Sequence, residues 1–286
     1  MGIYYLNNKY CTENEAVISV LDLGLLRGYG VFDYLRTYQR RPFHLREHLL
    51  RLQYSAKVIG LSLPNSLEEI EKIILNLIEH SSEDPLSIKI LVTGGVSSDH
   101  FLPEEKSSLI LHAYPLKEYP SHFYQEGIQT VTTMLGRIFP QSKTLNYIPA
   151  ITILKNAKNA KEAFYLNAKR EFLEGTTSNF FVFKNRRLIT PHSEELLLGI
   201  TREIVLRLGK EHFEVEERPI AYEEIETFDE CFLTSSTREL LPVVQIDEKK
   251  IGKGSPGPLT RHLRELFTAY TEQTEWPLLQ IARYEN

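Results

Sequence analysis

A few side chains in this 286-residue sequence are of types and spacings that can do chemistry. Lys143 stands in "QSKTLNYIPA", ahead of an aromatic-and-proline turn in which Pro149 suits the first turn of a helix. Apolar and aromatic neighbours disfavour the ammonium form, and a neutral amine can condense with an aldehyde. Glu174, in "EFLEGTTSNFF", closes an apparent strand, in a stretch with no other acid after Glu171. A carboxylate there can pair with a protonated ring nitrogen. In "LLGITREIVLRL", Gly199 permits close backbone approach, and Ile200 and Thr201 offer N–H groups where a helix opens. That pattern suits an anion, and the Thr201 hydroxyl adds a donor. The hydroxyl cluster Thr234–Thr237, which includes Ser236, can serve the same anion. Arg51, beside Leu52 on an amphipathic run, can grip a phosphate with two N–H groups. Singly, each has an ordinary explanation: a surface lysine, a strand-end acid, a common helix start, a self-bonded turn, a solvated arginine.

The elements that must position these residues form an α+β pattern. "GIYYLNNKY" reads as strand, Asn7-Asn8 turn and returning strand. Leu45, Leu49, Leu52, Ala56 and Ile59 have helical spacing, and Gly60 can end that helix. A second helix follows Ser66, with Glu69 completing a capping box. "LSIKILVTGG" and "SSLILHAYPL" read as strands around a loop. The polar "LKEYPSHFYQEG" is the linker candidate. Beyond it, "GIQTVTTML" and "EAFYLNAKREFLEGTTSNFFVFKNRRLITP" look strand-rich, a helix opens at Thr201, and "ECFLTSSTRELLPVVQID" reads as strand, turn, strand. The expected division is an N-terminal domain over 1–117, a linker over 118–124 and a C-terminal domain over 125–286 carrying Lys143.

Bulk properties exclude several classes. A net charge of -5 argues against broad nucleic-acid binding. Two cysteines, Cys11 and Cys231, are too few for a disulfide scaffold or a cysteine-rich zinc site. The N-terminus lacks the basic start and apolar core of a secretory signal, and no apolar run is long enough to span a bilayer. The expectation is a cytoplasmic protein with no membrane partner.

The order of the motifs matters more than any one of them. A lysine followed by "NY", then "EGxxSN", "GITR" and a hydroxyl cluster ahead of "ELLPV" resembles the class IV pyridoxal-phosphate aminotransferases. "RGYGVFDYLRTYQRRPFHLREHLLRLQYSA" is similar to that family's opening strand and arginine-bearing helix. The resemblance runs roughly from Asp22 to Thr260. It implies the two-domain fold type IV, an active site at the domain interface, a homodimer and pyridoxal 5'-phosphate as cofactor. The family includes branched-chain aminotransferases, D-amino acid aminotransferases and aminodeoxychorismate lyases.

By the same resemblance, Lys143 holds the cofactor as an internal aldimine and then shuttles a proton. Glu174 keeps the pyridine nitrogen protonated, and Arg51, Ile200, Thr201 and Ser236 form a phosphate cup. Tyr147 sits where it can bond the phenolic oxygen. Phe32, Arg36, His100 and Arg27 are the residues implied on the substrate side. D-amino acid aminotransferases usually place Arg-x-His in the loop read here as "TGGVSSDHFLP". Ser98 stands in place of that arginine, while His100 remains. Either Arg27 or Arg36 then meets the α-carboxylate, or the substrate differs. Arg36 in "FDYLRTY" matches the branched-chain pattern at the arginine, with Tyr34 replacing a glycine. The leading expectation is amino transfer between an amino acid, either a D-amino acid or a branched-chain one, and a 2-oxo acid. An aminodeoxychorismate lyase and a non-catalytic protein retaining the fold are the alternatives. Tyr147 leans against the lyase, and the joint presence of Lys143, Glu174 and Arg51 against a scaffold.

Overall fold

The computed structural model describes residues 2–285. The chain gathers into two units. The first comprises residues 1–117, 142–146 and 280–286; the second comprises 118–141 and 147–279. The segment bearing Lys143 thus groups with the N-terminal unit, although the sequence around it continues into the second.

In the first unit, β1 (Ile3–Leu6) and β2 (Lys9–Cys11) form the expected hairpin, with Asn7 and Asn8 at positive φ. Then come α1 (Leu23–Arg27), β3 (Gly30–Tyr38), β4 (Arg41–Pro42), α2 (Leu45–Val58), α3 (Leu67–His80), β5 (Leu86–Thr93) and β6 (Ser108–Pro115). The six strands make an antiparallel sheet ordered β2-β1-β6-β5-β3-β4. Strict alternation along β3 buries Val31, Asp33, Leu35 and Thr37 and leaves Phe32, Tyr34, Arg36 and Tyr38 half-buried. The buried face meets Leu49 and Leu52 of α2 and Ile70, Ile74 and Leu77 of α3. Each such side chain contributes about 1.5–3 kcal/mol when removed from water. Gly60, at φ 71°, ends α2 in a conformation other residues adopt at a cost, and Ser66 and Glu69 make the capping box of α3.

The second unit is built from α4 (His122–Glu126), β7 (Ile128–Thr133), α5 (Ile148–Asn156), β8 (Glu162–Leu166), β9 (Phe172–Gly175), β10 (Asn179–Lys184), β11 (Arg187–Thr190), α6 (Ile200–His212), β12 (Val215–Glu217), β13 (Glu230–Ser235), β14 (Glu239–Ile246), β15 (Lys249–Lys250) and α7 (Pro258–Thr271). A last helix, α8 (Ala282–Glu285), belongs to the first unit, where Tyr284 packs against Tyr54 of α2. The nine-stranded sheet runs β12-β11-β10-β13-β14-β7-β8-β9, with β15 on β14 and a further β9–β10 pairing. Strands buried on both faces, such as "EAFYL" and "NFFVF", explain why runs without alternation read as strand. The stacked rings of Phe172 and Phe180, 4.5 Å apart, anchor this core. Residues 118–124 are part of the unit, since Tyr119, Phe123 and Tyr124 pack against the same core.

Candidate active site

In the first unit, residues 142–146 lie along the edge of β3. The Lys143 carbonyl accepts from Phe32 N at 2.9 Å, Leu145 N donates to the Gly30 carbonyl at 3.0 Å, and Thr144 bridges Val31. Ser55 on α2 fixes the other side, taking Lys143 N–H on its hydroxyl and the Ser142 hydroxyl on its carbonyl. The backbone of the lysine is therefore held at several points while its amine sits 4.7 Å from the Phe32 ring centroid. Lys89 of β5, opposite Tyr34 in register, brings a second amine to 5.3 Å from the same ring. The sequence reading did not single out Lys89; a charged residue inside the otherwise apolar "LSIKILV" was the available signal.

Asp33 faces the opposite way, into the core, with no exposed surface. Arg51 answers it with Nε and Nη2, each at 2.8 Å, and His48, three residues earlier on α2, brings Nδ1 to 2.6 Å. Burial alone would raise the Asp33 pKa, but the Arg51 charge and then His48 outweigh it and hold the carboxyl well below its usual range. Desolvation lowers the His48 pKa, so the ring is neutral and its Nδ1–H donates to Asp33. Arg51 is thus locked in orientation by a carboxylate the sequence reading did not single out.

The remaining substrate-side candidates of this unit are dispersed. Arg27 Nε donates to the His100 carbonyl at 3.2 Å, which brings these two together at exposed positions. Arg36 shares the face of Phe32 four residues along, about 13 Å at strand rise, and stacks on Tyr38 at 4.1 Å.

The second unit carries Tyr147, Glu174, Ile200, Thr201 and Ser236. Glu174 is the penultimate residue of β9 and is buried. Its Oε2 accepts from Leu197 N at 3.2 Å and from Asn179 Nδ2 at 3.4 Å, and its Oε1 lies 3.4 Å from Arg137 Nε. Burial would lower the Arg137 pKa, yet Glu174 and then Tyr147 raise it, so the guanidinium stays charged. Arg137 also donates to the Thr176 carbonyl at 3.1 Å and to the Tyr147 hydroxyl at 3.5 Å. The sequence reading did not single out Arg137, because its partners lie up to 39 residues away.

Asn179 ties the acid to the helix start. Its amide also donates to the Leu197 carbonyl at 2.8 Å, and its Oδ1 lies where a Cβ on Gly199 would approach to 2.1 Å. Gly199 is the N-cap of α6, so it offers no side chain to the first helical N–H groups, which lack intrahelical partners. The helix opens at Ile200, one residue before the expected Thr201. In register across the sheet, Asn179 pairs with both Glu174 and Thr234. The buried Thr234 hydroxyl has no hydrogen-bond partner among the described residues, and half-buried Ser236 lies two residues on.

An acid held among donors, an uncapped helix N-terminus and an unsatisfied buried hydroxyl are the donor set that a charged heterocycle bearing a phosphate requires. Comparison with known proteins agrees. Residues 30–246 match the family model for amino-transferase class IV. A Methanocaldococcus jannaschii protein named provisionally as a branched-chain-amino-acid aminotransferase is 35% identical, over 95% of this chain and 96% of its own. The D-alanine aminotransferase of Staphylococcus haemolyticus is 30% identical, over 94% of this chain and 97% of its own. The branched-chain amino acid aminotransferase of Escherichia coli superimposes with a TM-score of 0.88 at 25% identity, covering 97% of this chain and 98% of its own.

Fold and donor set together define a fold type IV enzyme dependent on pyridoxal 5'-phosphate, and another solved branched-chain aminotransferase of this fold carries pyridoxamine 5'-phosphate. The chain belongs to the class IV aminotransferases, which exchange an amino group between an amino acid and a 2-oxo acid. These relatives favour amino transfer over the lyase and the non-catalytic alternatives. No helix among the described residues is long and apolar enough to cross a membrane.

Proposed function

We propose that the protein is a transaminase for hydrophobic amino acids, with Lys143 as the covalent anchor of the cofactor and the carrier of the substrate proton. The single observation behind this reading is the double fixation of the Lys143 backbone, by β3 and by Ser55, which presents its amine beside Phe32. Bound pyridoxal phosphate would supply an electron sink for the pair released when the substrate Cα–H bond breaks. Glu174 would keep the ring nitrogen protonated, with Arg137 and Leu197 N–H holding the carboxylate in place. Ile200 and Thr201 N–H groups, Ser236 and Arg51 would take the phosphate, and Tyr147 the phenolic oxygen. Once released, the Lys143 amine would accept a proton at Nζ and return it, as a general base and then acid.

The half-buried face bearing Phe32, Tyr34 and Tyr38 suits an apolar substrate side chain, and Lys89 and Arg36 on that face supply cations for a carboxylate. The branched-chain and D-alanine activities in the relatives' names enter here as the two substrate classes to be distinguished. Exposed Val17, Val20 and Leu25 in the first unit, and Ile138, Ile148 and Ile151 in the second, support a homodimer that covers them. The free thiols Cys11 and Cys231 fit a reducing, cytoplasmic setting.

The test is spectroscopic. Purified protein given pyridoxal 5'-phosphate should keep visible absorbance through dialysis, and Lys143→Ala should lose it; retention by the variant refutes the anchor. Single-turnover spectra with a panel of L- and D-amino acids then assign the substrate. A response confined to L-leucine and L-valine selects the branched-chain class, one confined to D-alanine the D-class, and no response to any amino acid refutes the transaminase reading. Light scattering on the eluted protein should give twice the monomer mass.

A further inference from the structure

Outside the residues given cofactor roles, the second unit contains a buried ion pair whose partners are concentrated on two turns. Glu162 of β8 has no exposed surface, and Arg238, at the turn into β14, is buried beside it. The carboxylate serves the turn between β9 and β10. Its Oε1 accepts from Thr176 N at 3.1 Å, from the Thr176 hydroxyl and from Ala163 N at 3.0 Å. Its Oε2 accepts from the Thr177 hydroxyl at 2.8 Å, the Ser178 hydroxyl at 3.0 Å and Arg238 Nη2 at 3.0 Å.

Arg238 reaches across to the same turn. Nη2 donates to the Thr177 carbonyl and hydroxyl at 3.1 and 2.6 Å, while Nε donates to the Ser235 hydroxyl at 3.2 Å on its own turn. Tyr124 fixes the Arg238 backbone by donating to its carbonyl at 3.1 Å. Strand register puts both turns at one end of the sheet, because Asn179 pairs with Glu174 on one side and Thr234 on the other. One guanidinium therefore fastens the turn that follows Glu174 to the turn that carries Ser235 and Ser236.

We propose that Arg238, seated on Glu162, is a positioning residue that sets the Ser235–Ser236 turn against the Glu174 strand end, so that acid and hydroxyls fit one cofactor. The proposal rests on the pyridoxal-phosphate reading above. Arg238 acts through Thr177 and Ser235 rather than on reacting atoms. A planar fork is required, because a single lysine ammonium can neutralise Glu162 without also spanning both turns.

The test compares wild type with Arg238→Lys, Arg238→Met and Glu162→Gln. For each, three quantities are read: the Tm of cofactor-free protein, the dissociation constant for added pyridoxal 5'-phosphate, and amide hydrogen exchange at residues 176–178 and 235–237. Arg238→Lys should keep the Tm of cofactor-free protein, speed exchange in both turns and weaken cofactor binding at least about tenfold, the scale on which supporting side chains act. Glu162→Gln should likewise weaken binding, and it keeps the test decisive if Arg238→Met does not fold. An Arg238→Lys protein that binds cofactor like wild type overturns the clamp. So does a series in which affinity falls only in step with Tm, since that is the signature of a merely structural pair. A wild type that takes up no cofactor overturns the functional reading and with it this one, and is told apart from the other failures by the wild-type arm alone.

Discussion

Replacing Gly199 by alanine should damage the protein through Asn179, and the size of the effect follows from the contact. The backbone at Gly199 has φ -78° and ψ 139°, which any residue adopts, so alanine adds no backbone strain. The new Cβ would stand 2.1 Å from Asn179 Oδ1, where ordinary contact begins at 3.4 Å, a shortfall of 1.3 Å. The amide must rotate away, giving up its bond to the Leu197 carbonyl and its approach to Glu174. Overpacking of this kind costs about 1–3 kcal/mol and a released buried carbonyl about 1 kcal/mol more, so the sum is ~2–4 kcal/mol. In a chain of this size each kcal/mol moves Tm by about 2–4 °C. The assay is a double-mutant cycle on thermal or urea unfolding, with Gly199→Ala, Asn179→Ala and both together. Asn179→Ala removes the obstructing oxygen, so the second substitution should cost far less in that background. The loss from alanine's poorer N-cap propensity is present in both arms and cancels. A coupling of about 1–3 kcal/mol in the direction of relief is expected. Additive effects, or a Gly199→Ala protein as stable as wild type, refute the contact.

Further outcomes follow from the same structure. Asp33→Asn should cost about 3–5 kcal/mol in urea unfolding, because it leaves the Arg51 guanidinium buried without its carboxylate. The Asp33 and Glu162 carboxyls both lie below their ordinary values of 3.8 and 4.5, each held down by an arginine against the upward push of burial. Their contributions are therefore fully present above those ordinary values and lost as pH falls below them. His48, whose burial lowers its pKa, already costs stability as pH falls below its ordinary value of 6.5. The urea midpoint should thus begin to decline there and drop further below about pH 4, the latter drop less steep in Asp33→Asn. Burial pushes the Cys231 thiol well above its usual pKa, whereas Cys11 is half-buried. Iodoacetamide should thus add one label to native protein, at Cys11, and two to unfolded protein, as counted by mass spectrometry.

What the sequence disclosed depended on how locally each feature is encoded. Helices α2 and α3 carry period and caps in their own residues, and the hairpin of β1 and β2 carries its turn, so these were legible. The α7 helix has an equally plain signature, Pro258 at its start and Leu263, Phe267 and Tyr270 on its buried side, but no chemistry drew attention to it. The sites divide the same way. Lys143, Glu174 and the Gly199–Thr201 helix start are candidates marked by the order of motifs along the sequence. Arg137, Asp33 and the Glu162–Arg238 pair are marked only by partners brought close by folding, up to 76 residues distant for the last. A buried charge is chosen for the charge it meets, and one-dimensional spacing does not reveal that partner. Lys89 was missed for another reason: opposite faces of a half-buried strand are distinguished only once its register is known.

The composition of the first unit from three stretches of chain has a consequence for how the protein is made. Residues 280–286 complete that unit, yet a ribosome produces them only after all of 147–279. The first unit therefore still lacks Tyr284, the partner of Tyr54 on α2, after its other two stretches have been made. The segment with Lys143 emerges far earlier and can dock on β3 first. Removing those seven late residues should accordingly loosen the N-terminal unit and spare the C-terminal one, the reverse of what position along the chain suggests.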